Sequence, residues 1–125
     1  MQNQVGIFRN EEDLQQALAK VQQLKQRSER LAVEGSRMFN PGWHLCGDLK
    51  SMLTISEAVT RSALTRCESR GAHSRIDFPN SDAAWGKQNI VISRKGDIMT
   101  LRQVPVPAMP EELQQLVTEE KGAGA

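Results

Sequence analysis

Apolar residues in the first third of the chain recur at three- and four-residue steps, as Leu14, Ala17, Leu18, Val21, Leu24 and Leu31, while Gln15, Lys20, Gln22, Lys25 and Gln26 fill the other side. That period predicts one amphipathic helix with its stripe turned to a core. Asn10 marks its start as a capping side chain, and Glu11, Glu12 and Asp13 follow at the positive end of the macrodipole. The pattern runs out near Glu34-Gly35, and Gly35 to Gly42, with Asn40-Pro41-Gly42, reads as a connection. A second helix is expected from about His44 to Arg70. Its apolar positions, Leu45, Leu49, Met52, Leu53, Ile55, Val59, Ala63, Leu64 and Cys67, cover more than one stripe. So broad a surface predicts packing on two sides, as in the central member of a bundle. Trp43 is expected to plug the end of the core and Gly71 to stop the helix.

No long period survives between Ala72 and Gly86, so the third helix of a bundle has two placements. Met1–Val5 is the tail of a helix from an upstream segment, or the packing partner comes from the C-terminal tail. Gln88 to Ser93 is β-branched, Arg94-Lys95-Gly96-Asp97 supplies a turn, and Ile98 to Val104 alternates, which together predict a β-hairpin. Pro105, Pro107 and Pro110 impose an extended connector, Glu111 to Lys121 forms a short helix through Leu113, Leu116 and Val117, and Gly122–Ala125 frays. The expected architecture is mainly α: a helical bundle over residues 1–86, with the hairpin and tail over 87–125 belonging to the same domain.

Composition supports this reading and removes several function classes. A length of 125 residues suffices for one domain with a modest core. Three Phe, two Trp and no Tyr leave the apolar content to Leu, Val, Ile, Ala and Met, which favours helix packing over a β-sandwich. A net charge of +1 gives no field to draw in nucleic acid or an anionic membrane. No segment approaches the roughly 18 apolar residues of a membrane span, and the polar Met1–Asn10 is no signal peptide, so no direct membrane insertion and a cytoplasmic setting are expected. Cys46 and Cys67, placed on one helix, lie ~30 Å apart, too far for a disulfide. Two buried, reduced thiols are expected, and the same distance argues against a zinc site built from His44, Cys46, Cys67 and His73.

The densest chemistry lies in Glu68-Ser69-Arg70-Gly71-Ala72-His73-Ser74-Arg75-Ile76-Asp77-Phe78-Pro79, with five ionisable side chains at the expected helix end. Glu68, Ser69, Arg70, His73, Arg75 and Asp77 read as a domain or subunit interface, with loop geometry aiming them at a neighbour and Arg suited to a two-point grip on carboxylate or phosphate. The plainer alternative is a solvated loop whose basic groups sit on the negative end of the helix macrodipole. His73, with an ordinary pKa of ~6.5, is a candidate proton carrier, yet no nucleophile or second base accompanies it. Glu57 and Glu68, ~16 Å apart on one helix, make no carboxylate pair. No catalytic, cofactor-binding or metal-ligating residue is expected.

The corner also resembles a known family. Gly6-Ile7-Phe8-Arg9, Asn40-Pro41-Gly42-Trp43, Leu49-Lys50-Ser51-Met52-Leu53 with Ser56-Glu57-Ala58, then Arg70 through Pro79 and Trp85, follow the order seen in the C-terminal helical domain of succinate dehydrogenase/fumarate reductase flavoprotein subunits. The resemblance implies a spectrin-repeat-like three-helix bundle. It also implies an oxidoreductase interconverting succinate and fumarate, with FAD and the dicarboxylate-gripping residues in preceding domains and no cofactor in this chain. The implied partners are the flavin-binding domain of the same polypeptide and the iron–sulfur subunit, in a complex peripheral to the inner face of the membrane. Beginning at Met1 without those domains, the chain is expected to be a fragment or an expressed domain. The related L-aspartate oxidase typically carries Ser-Arg-Gly-Leu-His at this corner, so Ala72 and Trp85 favour the dehydrogenase/reductase branch. A free-standing helical interaction module is the alternative from another class.

Overall fold

The computed structural model describes residues 1–114; most of the expected C-terminal helix, with Leu116, Val117 and Gly122–Ala125, lies outside them. The first helix, α1, runs Glu11–Ser28. Its start is the one the sequence predicts: extended Asn10 accepts the Asp13 amide at 2.8 Å, and the three acids lie in the first turn. Leu14, Ala17 and Val21 are buried, and Val5 reaches into the same core from a turn in which its amide donates to the Met1 carbonyl at 2.7 Å. The opening residues therefore pack on this bundle through Val5.

Helix α1 stops at Ser28, short of the expected Glu34-Gly35. The buried Ser28 hydroxyl donates back to the Lys25 carbonyl at 2.7 Å, a local bond that competes with the helical ladder. Leu24 and Leu31, which continue the stripe in sequence, are 44% and 49% exposed.

The second helix, α2, spans Pro41–Thr65 and so starts earlier and ends earlier than expected. Asn40 is its cap, accepting the Gly42 amide at 3.0 Å, and Pro41 occupies the first turn, where a missing N–H is harmless. Trp43 does not plug the core; it is 44% exposed, with the Arg37 guanidinium over its ring at 4.8 Å. The start of α1 meets the end of α2 through Leu14, Ala17 and Ala63, and Lys25 near the end of α1 meets Glu57, so the two helices run antiparallel.

Glu57 is buried in this interface. It accepts Lys25 Nζ at 2.5 Å and Arg61 Nε at 2.8 Å. Burial pushes its carboxyl upward, and the two cations together outweigh that and hold it below the ordinary range. One face of α2 thus buries Leu53, Glu57, Thr60 and Ala63, while Leu45, Met52 and Ile55 on another remain more than 60% exposed. The packing on two sides expected of this helix is not formed among the described residues.

Two short strands, β1 at Phe8–Arg9 and β2 at Ser74–Arg75, pair in parallel and tie the entry of α1 to the segment after α2. Strands β3, Gln88–Lys95, and β4, Ile98–Pro105, form the expected antiparallel hairpin. Its register pairs Lys95 with Ile98, so the turn is only Gly96-Asp97, and Gly96 takes φ +61° as the first position of a II′-type turn requires. The hairpin lies beside α2 across a cleft of about 480 Å³ lined by Ile55, Ala58, Ile92 and Met99. The fold is a helical bundle carrying a β-hairpin. No helix among the described residues is long and apolar enough to cross a membrane.

Candidate functional site: the corner after the second helix

Helix α2 ends at Thr65 with no basic residue in its last turn, so its carbonyls need donors from elsewhere. Arg75 supplies them. Its Nη1 donates to Ala63 O at 2.8 Å and, at 3.4 Å, to Leu64 O and Arg66 O. Its other edge donates to Asp77 through Nε and Nη2, both at 2.7 Å, a two-point grip. The Asp77 carboxylate also accepts the Glu11 amide at 3.0 Å, at the amino end of α1. A positive group therefore sits on the negative end of one helix, a negative group on the positive end of its antiparallel neighbour, and the two grip each other. Arg75, with the Glu11 amide assisting, holds the Asp77 carboxyl down to about 2, and Asp77 raises the Arg75 guanidinium.

The path from Thr65 to Arg75 explains the other residues. Arg70 and His73 exchange backbone hydrogen bonds at 2.8 and 3.1 Å around Gly71-Ala72, and Gly71 takes φ +58°. A Cβ there meets nothing within 4 Å, so the requirement for glycine is conformational. Gly71 belongs to this turn and does not stop α2. The Ser69 hydroxyl accepts the Arg75 amide at 2.8 Å and donates to Phe78 O at 2.8 Å.

Glu68 is fully buried and is the hub of the corner's second half. It accepts Arg66 Nε at 2.8 Å, Arg70 Nε at 3.0 Å and the Asp82 amide at 2.8 Å. Arg70 first, then the Asp82 amide and Arg66, hold its carboxyl at about 2 against the opposing effect of burial. Arg66 also lies over the Trp85 ring at 5.6 Å and donates to its carbonyl at 3.2 Å, which draws residues 82–85 onto the corner.

His73 Nδ1 lies 2.6 Å from Arg9 Nη1, and Nε2 lies 3.1 Å from Arg66 O. A guanidinium only donates and a carbonyl only accepts, so the imidazole is the neutral Nε2–H tautomer. Burial pushes its pKa down, the Arg66 carbonyl opposes, and the charges of Arg9, Arg75 and Arg66 lower it further.

The six residues singled out in the sequence are thus brought together, though two do not aim at a neighbour. Glu68 and Arg75 are 0% and 1% exposed and bond within the chain, because the helix ends and the flanking arginines need them there. Reversal of charge at Arg75 would therefore strike the interior of the fold. Arg9, Arg66 and Asp82 were missed as members of the site. Arg66 carried a signal, being a cation at a helix end, whereas Arg9 is far off in sequence and is brought to the corner by the parallel β1–β2 pair. Cys67 is exposed and beyond α2, and Cys46 is half-buried, so neither is the buried helical thiol expected. Among the described residues no three potential ligands cluster around a metal position, and no buried side-chain nitrogen or oxygen lacks a hydrogen-bond partner.

The family model for the fumarate reductase flavoprotein C-terminal region matches residues 1–118. The chain belongs to that family. The fumarate reductase flavoprotein subunit of Helicobacter pylori is 33% identical over 117 residues, 90% of this chain and 16% of that protein. The succinate dehydrogenase flavoprotein subunit of Coxiella burnetii is 36% identical over 99 residues, 78% of this chain and 17% of that protein. Among solved structures, Mycobacterium smegmatis Sdh1 in complex with UQ1 superposes with TM-score 0.76 at 40% identity, covering 98% of this chain and 21% of that one. The E. coli quinol fumarate reductase FrdA gives 0.79 at 28% identity, over 88% and 20%. The chain therefore corresponds to the C-terminal domain of these subunits and spans about a sixth of the curated relatives' length.

Proposed function

We propose that this domain serves as a rigid support within a flavoprotein that interconverts succinate and fumarate. FAD and the dicarboxylate site lie in the preceding domain of the longer polypeptide, and the iron–sulfur subunit is a further partner, in a complex peripheral to the inner face of the membrane. The supporting observation is the internal saturation of the corner: Arg75 and Asp77 are committed to helix ends and to each other, and Glu68 to Arg66, Arg70 and the Asp82 amide, which suits holding a shape and leaves none of the three as a free base. Docking then falls to what surrounds the clamp. Arg70, with 45% of its side chain exposed, stands at the surface, and Phe8, Ile76 and Phe78 are 73%, 65% and 37% exposed around the same end. Glu68, Ser69, His73, Arg75 and Asp77 set that face from beneath.

The test is to purify the longer flavoprotein and this 125-residue chain side by side. The longer protein is expected to hold flavin and turn over succinate or fumarate, and the shorter chain to do neither. Flavin retained by the shorter chain alone, or dicarboxylate turnover by it, would overturn the reading.

A further inference from the structure

Every described arginine that is not solvent-exposed has a carboxylate partner, with one exception. Arg61 holds Glu57, Arg66 holds Glu68 and Arg75 holds Asp77. Arg9, also half-buried, has only neutral partners: its Nε donates to Gly6 O at 2.5 Å and its Nη1 to His73 at 2.6 Å. Burial accordingly lowers its pKa with no carboxylate to offset the effect. Arg9 opens on a groove of about 400 Å³ between α2, β1 and the hairpin, where Arg66 and His73 form the polar end and Val59, Ile90 and Ile92 the apolar wall. Among the described residues no Asp or Glu lines it. Val59 and Ile92 are 41% and 37% exposed along its rim. A partly desolvated guanidinium beside exposed aliphatic walls is complementary to one chemistry, a carboxylate on a short apolar stem.

Resting on the docking role proposed above, we propose that this groove seats an Asp or Glu side chain of the flavin-binding portion of the longer polypeptide. Arg9 is its ionic partner, and Val59, Ile90 and Ile92 pack on the stem. A side chain from a protein surface suits the site better than a free anion, because the rim is apolar and open and gains from being covered along its length. Arg9 is then an anchor between domains, its Nε and Nη1 held by neutral groups of this chain and its charge met by the incoming carboxylate.

The test compares Arg9→Gln and Arg9→Lys in the 125-residue chain and in the longer polypeptide. Hydrogen exchange is read at amides 58–63 and 90–92, which flank the groove. In the longer polypeptide Arg9→Gln is expected to speed exchange by about tenfold or more, the loss of one charge-assisted bond, and Arg9→Lys by much less. In the shorter chain both effects are expected to be small. The His73 titration midpoint, followed by imidazole ¹⁵N shifts, is expected to lie higher in the longer protein, because a carboxylate beside Arg9 offsets the surrounding positive charge. Equal effects of Arg9→Gln in both contexts, or an unmoved His73 midpoint, would overturn the carboxylate contact and leave the docking role standing. Equal exchange at these amides in the two unsubstituted proteins would show that nothing covers the groove, and both readings would fall.

Discussion

Replacing Arg75 with Met is expected to cost this chain a large part of its stability. The thioether keeps much of the buried stem and removes the charge and every donor. Left behind are the Asp77 carboxylate, which loses two bonds of 2.7 Å, and the Ala63 carbonyl at the end of α2, which loses one of 2.8 Å. Breaking a buried ion pair by removing one partner costs about 3–5 kcal/mol, and water reaching Asp77 argues for the lower end, about 3 kcal/mol. Asp77 is 28% exposed while Arg75 is 1% exposed, which is why the discount is partial. For a domain of this size that corresponds to a fall in Tm of roughly 10–15 °C. Urea and thermal melts of the purified chain, followed by circular dichroism, measure it. A stability within about 0.5 kcal/mol of the parent, the range of ordinary surface substitutions, would refute the clamp.

Three further outcomes follow from the same geometry. Glu57→Gln is expected to cost about 2 kcal/mol in urea melts, because Lys25 and Arg61 lose the charge they share in the helix interface while Lys25 keeps access to water; Lys25 is 40% exposed and Glu57 6%. Gly71→Ala is expected to cost about 1 kcal/mol in the same assay, with Gly71→Asn milder, since the penalty is the left-handed backbone and not a clash. Acid lability is expected in two stages. His73 has a lowered folded pKa, so the unfolded chain binds its proton more readily and stability begins to fall as pH drops below the ordinary histidine value of about 6.5. Glu68 and Asp77 are depressed to about 2, so their contribution is present above the ordinary carboxylate range and lost as pH falls through it toward 2. Melts from pH 8 to 2 read both stages, and His73→Gln removes the upper one; a single stage in the parent contradicts the assignment.

Features fixed by neighbours in sequence were legible, and those fixed by distant residues were not. The Asn10 cap with its acids and the hairpin with its glycine turn are local, and both stand where the sequence puts them. The end of α2 was misplaced because the group that donates to its last carbonyls, the Arg75 guanidinium, arrives from beyond the following turn. An apolar period continuing through Cys67 gives no hint of that. Leu31 misled in the same way, since a periodic residue marks a core only where another element stands opposite, and α1 has already ended at Ser28. Asn40-Pro41 reads equally as a turn and as a cap with a first-turn proline, and the backbone of Gly42 decides for the cap. At the corner, composition revealed the cluster and the resemblance revealed its family, yet which charges lie inside follows from the antiparallel helix ends that need them.

A double-mutant cycle on Arg75→Met and Asp77→Asn, read in urea at pH 7, tests most directly whether the corner is a clamp joining two helix ends. Charge-assisted bonds made as a unit predict a coupling of about 1.5–3 kcal/mol, the double variant costing well under the sum of the single ones. Single costs that add to within about 0.5 kcal/mol would mean that the two residues act independently, and the account of the corner would fail.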